Sequence, residues 1–127
     1  MTFTKKSIYS IQALIDLVNY RTSAKLPVSL LQISKRQEIS VLYLEQLFKK
    51  LKNANIVVAK MGPSGGYKIV RPLESISLKE IIEAVEDLPS VEIIETTLES
   101  NKTTNCLLGI TNNIGKNLEE ISLASLI

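Results

Sequence analysis

The chain has no histidine and no tryptophan, and one cysteine in 127 residues. Each absence removes a class of function. Without histidine there is no imidazole base for a Ser–His–Asp triad, no His-ligated zinc and no proton shuttle of that type. One cysteine cannot build an internal disulfide framework, so a reducing compartment, the cytoplasm, is the expected location. No apolar run approaches the ~18 residues that a membrane-crossing helix needs, and no charged-then-apolar leader opens the chain. Aromatic residues are 5% of a composition that is 45% hydrophobic, which predicts an aliphatic core. With no assembled acid–base or nucleophile set, an enzyme is not expected.

What is present is unevenly placed. The formal net charge is +2, yet residues 1–72 hold twelve lysines and arginines against three acids, while residues 73–127 hold three against ten. A basic half suits a polyanionic partner, and the acidic half implies a separate task. The length fits one domain. Within it, residues 1–72 read as a nucleic-acid-binding region and residues 73–127 as connector and assembly helices.

Hydrophobic spacing supplies the elements. Ile8, Ile11, Leu14, Ile15 and Val18 mark one face of a helix from Thr4 to Tyr20, with Thr4 as its N-cap. A short helix over Ser29–Gln37 should bury Leu30 or Leu31 with Ile33. Glu38-Ile39-Ser40 is a turn, and Ser40 caps a third helix over Val41–Asn53 whose buried stripe is Leu44, Leu47, Phe48 and Leu51. The apolar runs Ile56–Lys60 and Tyr67–Val70 flank Met61-Gly62-Pro63-Ser64-Gly65-Gly66, the pattern of a hairpin with an extended tip. Ser77 and Glu80 form a capping box for a fourth helix to about Glu86, with Leu78, Ile81, Ile82 and Val85 inward. Leu88–Thr104 reads as a connector. A last helix over Thr104–Ile121 carries Leu107, Ile110, Ile114, Leu118 and Ile121.

Three helices followed by a glycine-tipped hairpin give the order of a winged helix-turn-helix, mainly α with a small β-hairpin. In that arrangement the third helix enters the major groove and the hairpin reaches the adjoining backbone or minor groove. Tyr43, Glu45 and Gln46 offer hydrogen-bonding groups for base edges, and Lys49, Lys50 and Lys52 can neutralise phosphates. The glycine-rich tip is not a phosphate loop, since no Gly-Lys-Ser/Thr follows and a strand comes next. Asn101-Lys102-Thr103 matches a glycosylation sequon by chance.

The segments Tyr43-Leu44-Glu45-Gln46-Leu47-Phe48, Lys52 and Gly62-Pro63-Ser64-Gly65-Gly66-Tyr67 resemble the Rrf2 family of bacterial transcription regulators, the IscR-like winged helix proteins. Thr4-Lys5-Lys6 with Tyr9 is similar to that family's start. Ser77-Leu78, Ile81 and Val85-Glu86 are similar to its next helix, and Ile121-Ser122-Leu123 through Leu126 to its ending. The resemblance implies a homodimer on double-stranded DNA, paired through the long penultimate helix. It also implies DNA contacts at Ser40, Tyr43, Glu45 and Gln46, and in the wing from Gly62 to Gly65. The full candidate set adds Thr4, Lys5, Tyr9, Leu42 and the three lysines of helix three, with Lys60, Met61, Pro63 and Ser64 around the tip.

The departures from the family pattern shape the rest. Many relatives place three cysteines between the fourth and fifth helices to hold an iron–sulfur cluster. Here that region has Cys106 alone, and Gly109 stands where a histidine follows in the best-known cluster regulator. Glu92, Glu95 and Glu99 are hard oxygen donors ill suited to that chemistry, so no cofactor is expected. Met61 occupies a wing position where relatives often carry arginine, and Leu42 replaces a small polar residue and offers an apolar contact for a thymine methyl group. The expected protein is a repressor on a pseudo-palindromic operator, answering to a regulatory protein or a small-molecule effector. The alternatives are an adaptor that keeps the fold without specific DNA binding, and a redox sensor bridging a cluster between two Cys106 thiols.

Overall fold

The computed structural model describes residues 3–86 and 102–127. Helix α1 (Lys5–Tyr20) starts where Thr4 Oγ1 accepts the Lys6 N–H at 3.2 Å. Helix α2 (Leu30–Gln37) opens on a capping box between Ser29 and Gln32. It stops at Glu38, whose left-handed backbone (φ 55°) turns the chain at once into Ser40, the N-cap of α3 (Val41–Asn53). That single turn fixes α2 and α3 as a helix-turn-helix pair.

Strands β1 (Val58–Lys60) and β2 (Gly66–Lys68) pair antiparallel, with Val58 opposite Lys68 and Lys60 opposite Gly66. Both are shorter than the sequence suggests. Asn55 takes a left-handed conformation (φ 60°) after α3, and Ile56 and Val57 then drop into the core before the ladder begins. On its other edge β2 is fastened to the loop ahead of α2. Val28 and Tyr67 exchange both backbone hydrogen bonds, at 2.8 and 2.9 Å.

Helix α4 (Leu78–Val85) begins with the predicted Ser77–Glu80 capping box. Helix α5 (Lys102–Glu120) already includes residues 102 and 103, ahead of the start its hydrophobic spacing implied. Most of the predicted connector over 88–104 lies outside the described residues. The chain's end folds back onto α4, with the Leu78 N–H donating to the Ile121 carbonyl and the Leu123 N–H to that of Ile76, both at 2.8 Å.

Leu14, Leu17, Ile33, Leu44, Phe48, Leu51, Ile76, Ile81 and Leu123 belong to one buried cluster that draws on both sides of residue 72. The α3 stripe is buried as its spacing predicts. The face of α1 is a correction. Its buried residues are Ser7, Ser10, Ala13, Leu14, Asp16 and Leu17, whereas Ile8 is exposed and Ile11, Ile15 and Val18 are half-buried. The rotation has a polar cause: the Asp16 carboxylate is fully buried and receives Arg36 Nε and Nη2 together with Gln37 Nε2. In α2, Ile33 alone is fully buried; Leu30 is half-buried and Leu31 exposed, because this helix offers only one narrow stripe to α1 and α3.

Candidate nucleic-acid interface

Burying Leu44, Leu47, Phe48 and Leu51 leaves the other side of α3 in solvent. Glu45, Gln46, Lys49, Lys50 and Lys52 are all exposed there, and Leu42 stands out at the N-terminal end. Ser40 is exposed, but its hydroxyl accepts the Tyr43 N–H at 3.1 Å, so it both caps the helix and sits at its leading tip. Tyr43 is half-buried. Its ring meets that of Tyr9 edge to face, with centroids 5.9 Å apart at 89°, which ties α3 to the first turns of α1.

This contact brings Lys6 to the same surface. Lys6, Tyr43, Gln46, Lys49, Lys50 and Asn53 line a shallow groove of about 420 Å³. Lys6 was not singled out by the sequence, which named Thr4, Lys5 and Tyr9. The dibasic Lys5-Lys6 was visible, but only the helical phase of α1 decides which lysine joins the groove. Among the described residues the ion pairs use Arg36, Arg71 and Lys79. No lysine of α3 takes part in an ion pair among the described residues, and a face of this kind is open to phosphates.

The wing is tied to the helices at its base by the Val28–Tyr67 hydrogen-bond pair. Gly65 N–H donates to the Gly62 carbonyl at 2.9 Å and closes the tip. Lys60, Met61, Gly62, Pro63 and Ser64 are exposed, Met61 at 88%. The Tyr67 ring packs on Phe48 at 5.0 Å between centroids, so the strand that carries the wing and the buried face of α3 share one contact.

The stripe on α5 divides. Leu107 and Ile110 are exposed, at 42% and 52%. Ile114, Leu118 and Ile121 border an apolar groove of about 520 Å³ with Phe3, Ile8 and Ile11 of the α1 end and Leu78 and Ile82 of α4. Leu118, expected at the assembly surface, is instead only 7% exposed within its own chain, because α5 rests on α4 there. Cys106 is exposed. It is this chain's single thiol, the chain has no histidine, and among the described residues no three His, Cys, Asp or Glu side chains are grouped to hold a metal ion. That donor set does not fit an iron–sulfur cluster, which takes four thiolate or imidazole ligands. No helix of the described residues is long and apolar enough to cross a membrane.

A helix-turn-helix whose second helix presents polar and basic groups, with a β-hairpin wing beside it, is a winged helix-turn-helix domain of the kind that reads duplex DNA. The chain belongs to the Rrf2 family of transcriptional regulators, which are not enzymes: the family model, described as an iron-dependent transcriptional regulator, matches residues 3–127. The HTH-type transcriptional regulator IscR of Cereibacter sphaeroides is 52% identical over 87 residues, covering 68% of this chain and 56% of that protein. IscR of Vibrio atlanticus is 34% identical over 131 residues, covering 99% of this chain and 75% of its own length. Among solved structures, CymR (YrzC), the global cysteine regulator of B. subtilis, superposes with a TM-score of 0.78 at 26% identity, covering 99% of this chain and 95% of that one. The chain spans about half the length of the first curated relatives it matches.

Proposed function

We propose that the chain is a cytoplasmic repressor that binds a pseudo-palindromic operator as a homodimer and does not sense its signal through an iron–sulfur cluster. One observation carries the reading: the exposed face of α3 combines hydrogen-bonding groups and exposed lysines, flanked by Lys6. In the major groove Gln46 would pair bidentately with adenine, Glu45 would accept from a cytosine amino group, and Leu42 would meet a thymine methyl. Lys49, Lys50 and Lys52 would hold phosphates, and the wing residues Lys60 to Gly65 the neighbouring backbone. A two-fold dimer would set two α3 helices about 34–36 Å apart, one turn of duplex, which is why the operator should be a near-palindrome.

The test is selection of bound duplexes from a random pool, followed by Gln46→Ala. The variant should lose about 1–3 kcal/mol at one base position and little elsewhere. An equal loss on selected and random DNA contradicts base readout. The second reading, an adaptor without specific DNA binding, draws on Met61, which puts an uncharged, exposed side chain in the wing. A pool that yields no consensus favours it.

The exposed Leu107 and Ile110 and the apolar groove at the other end of α5 support assembly. Antiparallel pairing of two α5 helices would lay the Leu107 end of one beside the Ile121 end of its mate, covering both. Sedimentation at micromolar concentration should show a dimer, and Leu107→Glu with Ile110→Glu should give monomers. A monomer that binds its operator unchanged contradicts this arrangement.

The signal is expected to be a regulatory protein or a small molecule. Protein purified without oxygen should lack stoichiometric iron and sulfide. Brown protein that loses its colour on Cys106→Ala would establish instead a cluster bridged between two chains.

A further inference from the structure

Glu86 is the C-cap of α4, and its side chain does not serve its own helix. Only its backbone N–H does that, donating to the Ile82 carbonyl at 2.8 Å. The carboxylate crosses to α1. Oε1 accepts the Thr4 N–H at 2.9 Å, and Oε2 accepts the hydroxyl of Ser7, a residue only 1% exposed. Thr4 in turn accepts the Lys6 N–H with its own hydroxyl. One acid therefore clamps the first turn of α1 from outside the helix, at the end where the helix dipole favours negative charge. Burial pushes the Glu86 carboxyl upward, but the hydrogen bonds from Ser7 and Thr4 and the nearby Lys6 charge outweigh it and hold it below its ordinary value.

The clamped turn is the one that faces DNA in the function proposed above, on which this inference rests. Lys6 lines the groove with Gln46, Lys49 and Lys50, and Tyr9, one turn further along, carries the ring that meets Tyr43. We infer that Glu86 is a positioning residue for the DNA-binding face: it fixes the first turn of α1 so that Lys6 and Tyr9 stand where α3 needs them. Glu86 touches no base or phosphate. It acts through Thr4 and Ser7.

The sign of its effect separates this role from plain electrostatics. Removing an acid from a DNA-binding protein tightens binding by charge alone. Loss of the clamp instead frays the first turn and removes a phosphate contact, which weakens binding. Glu86→Ala should bind the selected duplex about tenfold more weakly, with a salt slope shallower by about one unit. Glu83→Ala, which removes the same charge from an exposed position on α4, should bind as well or slightly better. Ser7→Ala leaves the charge untouched and should shift affinity and slope in the same direction as Glu86→Ala, by less.

A readout without DNA completes the test. The Thr4 amide should exchange its proton about tenfold faster in Glu86→Ala than in the unmodified chain. Faster exchange combined with unchanged or tighter DNA binding in both Glu86→Ala and Ser7→Ala would overturn the positioning role and leave DNA binding standing. Unchanged exchange at Thr4 would overturn the clamp itself. If the unmodified chain bound no duplex, the proposed function would fail and this inference with it, whatever the amide showed. Should Glu86→Ala not fold, Ser7→Ala decides alone.

Discussion

Replacing Arg36 with alanine should cost the fold about 3–5 kcal/mol, lowering the melting temperature by roughly 10–20 °C. The size comes from what is left behind. Asp16 has no exposed side-chain surface, and Arg36 supplies three of its four hydrogen bonds from a partly exposed position. Without the guanidinium, a buried carboxylate keeps only Gln37 Nε2, at 2.9 Å. Lysine should rescue little, because Nε and Nη2 donate together as a planar fork that an ammonium cannot reproduce. The guanidinium also lies 4.3 Å from the Tyr20 ring centroid and covers it. Adding Asp16→Asn to Arg36→Ala should restore part of the loss by removing the stranded charge. Thermal unfolding of the three variants checks this, and an Arg36→Ala protein as stable as its parent would refute it.

Gly66→Ala should be severely damaging to the wing. A Cβ there would lie 2.3 Å from the Val28 carbonyl oxygen and 2.6 Å from its carbon, and the backbone sits at φ +151°. Both obstacles are backbone, so no side chain can swing away. The Val28–Tyr67 pair must separate, with two hydrogen bonds of about 1 kcal/mol each at stake, and strain adds about 1–3 kcal/mol. The expected cost is about 3–5 kcal/mol, with loss of the Tyr67–Phe48 contact beneath α3. Gly62→Ala is the comparison. Its φ of +105° is also unfavourable, but nothing lies within 4 Å of the added carbon, so about 1 kcal/mol is expected. Equal melting temperatures for the two variants would show that β2 is not anchored to Val28.

How far the sequence determines this picture differs from element to element. The caps at Thr4, Ser40 and Ser77 were legible because capping is local: each side chain accepts a backbone N–H within three residues. The α3 stripe was legible because four large apolar residues leave no competing face. The wing's existence followed from its glycines, but its strand limits did not, since the turn at Asn55 and the bridge from Val28 depend on tertiary packing. The α1 face was misread for a related reason. Asp16 looks like a solvent-facing residue until Arg36, twenty positions later, arrives to bury it. On α5, even hydrophobic spacing gave no hint that Leu118 would be covered by α4 while Leu107 and Ile110 stayed open. On α3 the exposed polar and basic residues were legible as the side opposite the buried stripe. Lys6 in the groove beside α3 and the Glu86 contacts to Thr4 and Ser7 were not legible, because both depend on how α1 sits against α3 and α4.

The central claim, that the open face of α3 grips duplex phosphates, is tested most directly by the salt dependence of DNA affinity. For the unmodified chain, log K should fall linearly with log salt, and Lys49→Ala or Lys50→Ala should each shallow that slope by about one unit on selected and random duplexes alike. Slopes unchanged by both substitutions, in variants that melt like the parent, would contradict it.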